Sequence, residues 1–155
     1  MKRISIGLFL TFLGLIIFSA CQENVYMDWK LANDNWYAVH KSDSGFVTSS
    51  TGLCYQILYP GYALARQPNA NSNVLVAYKG TLIDGSVFDS QPAGVWLSLP
   101  ATIQGWQEIL PKLHNGAHVK LYIPAALAYD TTTTNTTIPP HSVLIFDMNL
   151  IDSSN

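Results

Sequence analysis

Between Gly52 and Asp152 apolar residues recur mainly at every second position, and one short stretch breaks that rhythm. Val74, Val76 and Tyr78 alternate along Val74–Leu82, which puts them on one face of a strand. Leu53–Tyr59, Val87–Ser90, Val95–Leu99, Ala117–Ile123 and Val143–Ile151 read as further strands. In Trp106–Leu113, by contrast, Trp106, Ile109, Leu110 and Leu113 fall at helical spacing, and Asn115-Gly116 ends the segment. Asp84-Gly85 marks a turn between two strands, and Pro60–Asn73 is a loop rich in Pro, Gly and Asn. A Thr-rich loop, Asp130–Thr137, precedes Pro139-Pro140 and the last strand. Strands and helices must bury their apolar faces against another layer. Several strands with one short helix therefore predict an α+β domain built on an antiparallel sheet.

The front of the chain has a different character. Lys2 and Arg3 precede an almost wholly apolar run, Ile4–Phe18, followed by the small residues Ser19-Ala20 and then Cys21. This order predicts a secretory signal over residues 1–20. The run is at the short end for a membrane span. The Phe18-Ser19-Ala20-Cys21 match resembles the lipobox of bacterial lipoproteins, which implies acylation of Cys21 and a membrane anchor in the cell envelope. An ordinary signal peptide with an incidental Cys is the alternative.

Of eight Lys+Arg in the chain, Lys2 and Arg3 fall in the signal, so six face ten Asp+Glu from Cys21 onward. No basic patch survives, which argues against nucleic acid as a partner. With Cys21 acylated, Cys54 has no partner within the chain and reads as a small buried thiol on a strand. Within residues 21–51, Trp29, Asn33, Trp36 and His40 are spaced for one helix face, and Ser42-Asp43-Ser44-Gly45 ends it. This segment suits a spacer, a dimer arm or a cap on the main domain, which takes up residues 52–155.

Few kinds of chemistry are encoded. His40, His114, His118 and His141 have no metal-ligand spacing, and there is no Cys-x-x-Cys. No Gly-rich phosphate loop, Ser-x-x-Lys or Gly-x-Ser-x-Gly occurs. Hydrolase, metalloenzyme and nucleotide-dependent readings are weak, and no cofactor is expected. The remaining signal is aromatic: Tyr78, Phe88, Trp106, Tyr129 and Phe146 come from five different elements. Any one of them alone reads as core.

Together they sit in longer stretches. "GLCYQIL", "VLVAYKGTLIDGSVFDS", "IQGWQEIL", "YIPAALAY" and "IPPHSVLIFDMNLID" follow one another in the order and approximate spacing of the FKBP family of peptidyl-prolyl isomerases, which the chain resembles from Gly52 to Asp152. The resemblance implies a twisted antiparallel sheet wrapped around one short helix, with a pocket for an X-Pro bond between them. Carried over by motif, the catalytic residues are Tyr78, Phe88, Asp89, Trp106, Tyr129 and Phe146. The substrate-binding residues are Val95, Leu97, Thr102, Ile103, Ala128 and Ile138, with the Ile103 backbone N–H meeting the ligand carbonyl. The partners implied are proline-containing unfolded or partly folded polypeptides, and a rapamycin-type macrolide as inhibitor. The chain also departs from the pattern. The segment after Asp89 is short and lacks the family's Arg, so Asp89 needs another donor, for which the Tyr78 hydroxyl is the candidate. Val95 stands where Phe is frequent, Asp130 stands where the family has Gly, and the stretch before Ile103 is shortened.

Such residues suit the reaction. Amide resonance sets a barrier of about 18–20 kcal/mol to prolyl rotation. No proton transfer or nucleophile is needed. The planar amide is more polar than the twisted one, so an apolar pocket disfavours the ground state more. Asp89 and Tyr78 beside the amide can favour the twisted geometry electrostatically. Two rivals share the fold: a client-holding module with little turnover, and a structural or adhesive surface lipoprotein.

Overall fold

A computed structural model describes residues 26–130 and 137–154 of the 155-residue chain. The apolar leader, Cys21 and the Thr-rich tip at 131–136 lie outside the described residues. A helix, α1, covers residues 26–40. Six strands follow: β1 (Val47–Thr48), β2 (Cys54–Tyr59), β3 (Asn73–Thr81), β4 (Val87–Ser98), β5 (His118–Ile123) and β6 (Leu144–Ser154). A second helix, α2 (Gln104–Ile109), lies between β4 and β5. The strands form one sheet in the order β1-β2-β5-β6-β3-β4, and every neighbouring pair is antiparallel. This is the α+β architecture the sequence predicts.

Alternation decides which face is buried. Val74 and Val76 of β3, Val119, Leu121 and Ile123 of β5, and Leu144, Phe146, Met148 and Leu150 of β6 all point inward. Trp106, Ile109, Leu110 and Leu113 answer them from α2 and the turn after it, and all four are buried. The helical stripe read in the sequence is thus the cover for the sheet. Pro111 cannot donate to a helix, and the chain tightens into a 3₁₀ turn at Leu110–Lys112.

Several predicted boundaries move. Val87–Ser90 and Val95–Leu99 are one strand, not two. Pro92 and Gly94 mimic a break, but β4 is an edge strand, where a missing N–H on the solvent side costs little. The pairing skips between Val76↔Val95 and Tyr78↔Gln91, so the extra residues bulge out, and Gly94 takes φ 86° there. β6 runs past Ile151 because Asp152, Ser153 and Ser154 pair with Leu75, Val74 and Asn73 of β3. β1 falls inside the front segment, yet it pairs with β2 and extends the sheet.

The α1 part of the front segment packs against the main domain. Asn33 is fully buried, and its Oδ1 accepts the Val143 N–H at 2.8 Å. Trp29 packs against the core, and its Nε1–H donates to Ser142 Oγ at 3.0 Å. The Tyr37 hydroxyl donates to the Gly52 carbonyl. Trp36 packs edge-on against Tyr122 with ring centres 4.9 Å apart. Among the described residues no helix is long and apolar enough to cross a membrane. Cys54 is a buried free thiol on β2.

Candidate active site

β3, β4 and β6 bring three aromatic side chains over one end of the sheet. Tyr78 and Phe146 face inward from adjacent strands, and Phe88 comes from the start of β4. α2 adds Trp106 from below. Phe146 is the hub: its ring centre lies 5.9 Å from Tyr78, 5.5 Å from Phe88 and 5.2 Å from Trp106. Tyr78 and Trp106 meet at 5.0 Å. All four contacts are edge-to-face, the arrangement that aromatic quadrupoles favour. Trp106 and Phe146 are buried, whereas Tyr78 and Phe88 are half-buried and present ring surface outward.

These rings line an open cavity of about 520 Å³. Its walls also include Asp89, Leu97, Thr102, Ile103, Ala128 and Tyr129. Ten of the twelve residues carried over from the family therefore converge on one space. The other two do not line it. Val95 lies opposite Val76 on β4 and packs against the core. Ile138 is buried in that core as well. Ala101, Gln104 and Gln107 line the cavity in addition. Gln107 lies one helical turn after Ile103, so its place was legible from i, i+4 spacing. Its Nε2–H₂ group donates to the Thr102 carbonyl at 2.6 Å and ties the turn before α2 to the helix.

The polar pair at the mouth is Tyr78 and Asp89. The Tyr78 hydroxyl donates to Asp89 Oδ2 at 2.5 Å, supplying the donor left open by the missing Arg. Among the described residues no cation forms a salt bridge with Asp89. Burial, followed by the hydrogen bond and charge of Asp89, holds the Tyr78 hydroxyl far above the usual phenol range. Burial and the Asp89 charge also raise Tyr129. Both hydroxyls therefore stay protonated donors in neutral solution. The Ile103 backbone N–H, at the cap of α2, has no acceptor among the described residues. The cavity thus combines an apolar floor with a carboxylate, two phenol donors and one open amide at its rim.

One position that departs from the family pattern, Asp130, has a backbone that suits it. Asp130 takes φ 50°, in the left-handed region where Gly is easiest, and Asp is among the few other residues that enter it readily. No group of described residues could hold a metal ion.

Comparison with known proteins agrees with this geometry. The family model for the FKBP-type peptidyl-prolyl cis-trans isomerase matches residues 65–151. The FKBP-type peptidyl-prolyl cis-trans isomerase FkpA of Escherichia coli K12 is 45% identical over 113 residues, covering 71% of this chain and 41% of that protein. Outer membrane protein MIP of Legionella longbeachae is 37% identical over 129 residues, covering 79% of this chain and 53% of that protein. The chain thus spans about half the length, or less, of these curated relatives. The crystal structure of Escherichia coli FkpA superposes with a TM-score of 0.84 at 33% identity, over 99% of this chain and 74% of that one. With the family model covering more than half of the sequence, the chain belongs to the FKBP-type peptidyl-prolyl cis-trans isomerase family.

Proposed function

We propose that the chain is a peptidyl-prolyl cis-trans isomerase that acts on X-Pro bonds of exported folding clients and is anchored to a membrane through Cys21. The observation that supports it most is the aromatic cage of Tyr78, Phe88, Trp106 and Phe146 with the Tyr78–Asp89 hydrogen bond at its mouth. A proline ring fits against Trp106 and between the flanking rings. The preceding carbonyl then lies near the phenol donors, and the Ile103 N–H is open to a second carbonyl. The chain does not have to transfer a proton. It has to hold the amide away from water and favour its twisted form, and every roughly 1.4 kcal/mol so gained is tenfold in rate. The same cage suits a rapamycin-type macrolide.

Turnover of proline tetrapeptides, measured on protein from Gln22 onward, tests the reading. Wild type is expected to accelerate exchange. Asp89→Ala is expected to lower turnover by about tenfold, since it removes the charge beside the twisting bond. Its melting temperature should change little, because Asp89 is exposed. Wild type without turnover but with peptide affinity would leave a client-holding module. The missing Arg partner of Asp89 is what favours that second reading. For the anchor, mass spectrometry should find an acylated Cys21, and Cys21→Ser should leave the membrane pellet. An unmodified Cys21 would sink that part.

A further inference from the structure

From the structure we infer that α1 positions the Ala128–Tyr129 wall of the cavity, with Trp29 and Asn33 acting through the turn that precedes β6. This rests on the isomerase reading of the cavity. Tyr129 lines the site but is 36% exposed, so the core does not hold its ring. Its place is set by the backbone on either side. On one side the Ala128 and Asp130 N–H groups donate to the Ala125 carbonyl at 2.9 and 2.8 Å. On the other, the His141 N–H donates to the Asp130 carbonyl at 2.8 Å and closes a neck between residues 130 and 141.

That neck is unusual. Asp130 at φ 50° and His141 at φ 63° are the two non-glycine residues with positive φ among those described, and they are bonded to each other. Backbone in sparsely populated regions persists only where its surroundings over-determine it. Here α1 supplies that constraint at two points. The Trp29 Nε1–H donates to Ser142 Oγ at 3.0 Å, and the Ser142 hydroxyl donates to the Pro139 carbonyl at 2.7 Å. The fully buried Asn33 accepts the Val143 N–H through Oδ1, while its own Nδ2–H₂ group donates back to the Trp29 carbonyl at 2.8 Å. His141 is thus flanked on both sides by residues that α1 or its relay holds. The opposite end of α1 is fastened separately, by Tyr37 to Gly52. That bond does not touch the neck.

The separation of the two anchors makes the inference testable. Trp29→Phe keeps a ring in place and removes the donor, Ser142→Ala breaks the relay, and Tyr37→Phe loosens α1 away from the site. Each full-length variant is assayed on tetrapeptides that differ in the residue before proline, and exchange of the His141 amide is followed by NMR. Trp29→Phe and Ser142→Ala should raise KM by about threefold to tenfold, the size of one lost hydrogen bond, and flatten the preference for that residue. Their kcat should change less than their KM, since Asp89, Tyr78 and the floor are untouched and only the Ala128–Tyr129 wall moves. The His141 amide should exchange faster in both. Tyr37→Phe should lower the melting temperature and leave KM and His141 exchange as in wild type. A wild-type KM and wild-type His141 exchange in both neck variants would overturn the inference, as would an equal rise in KM for Tyr37→Phe. A wild type without turnover would remove the isomerase reading, and His141 exchange would still decide whether α1 holds the wall.

Discussion

Trp106→Ala is expected to lower folding stability by about 3–5 kcal/mol and to abolish detectable binding of proline peptides. The side chain is 4% exposed and stands between α2 and the sheet. It touches Tyr78 and Phe146, so its removal opens a cavity beneath two other walls of the site. Those walls then lose their edge-to-face partner, and the proline ring loses its floor. Trp106→Phe separates the two effects. It keeps an aromatic floor and deletes an Nε1–H that is buried without a partner among the described residues. Turnover in Trp106→Phe should therefore stay within about tenfold of wild type. Denaturant unfolding and peptide titration of both variants check this. Wild-type peptide affinity in Trp106→Ala would show that the cage is not the binding site.

Gly80→Ala is expected to weaken peptide binding by about tenfold or more while costing about 1–3 kcal/mol of stability. Gly80 lies on β3 opposite Phe146 and Asp89 of the neighbouring strands. A Cβ there would stand 2.5 Å from Phe88 Cζ and 2.9 Å from Phe146 Cε1. Both contacts are closer than van der Waals separation allows, so a ring has to move. Phe146 is buried and held on three sides by aromatic neighbours. Phe88 is half-buried, so its ring swings, and the space beside it is the cavity. The substitution should therefore close the pocket more than it unfolds the protein. Peptide affinity and melting temperature measured together decide it. An unchanged affinity with a large stability loss would mean that Phe146 yields instead.

The family motifs point to most of the cavity: Tyr78, Phe88, Leu97, Trp106 and Phe146 lie on strands or a helix with readable periodicity, whereas Thr102, Ile103, Ala128 and Tyr129 sit in turns that periodicity does not report and only the motif places. Tyr78 shares the inward parity of Val74 and Val76, and Trp106 opens the apolar stripe of α2. Val95 and Ile138 were carried over by motif too, yet the cavity does not include them. Motif position says which element a residue occupies. It does not say how far along a bulged edge strand the pocket extends. Val87–Ser90 and Val95–Leu99 read as two strands for a related reason: Pro and Gly such as Pro92 and Gly94 interrupt strands in general, and only the place of β4 at the edge of the sheet makes them harmless.

By itself, the sequence determined the elements that build the domain, the face each one buries and the family whose cage they form. Those properties depend on spacing along the chain, which hydrophobic periodicity records directly. Tertiary structure decided what depends on distant partners. The Tyr78 hydroxyl meets Asp89 across a strand pair, β4 runs through its bulge, and α1 packs against the domain through Trp29 and Asn33. Asn33 and Val143 are 110 positions apart, and no local pattern reports that a buried amide acceptor awaits that N–H. Such a bond exists only once the sheet, α2 and α1 have been packed together, because packing is what withdraws both groups from water and makes pairing obligatory.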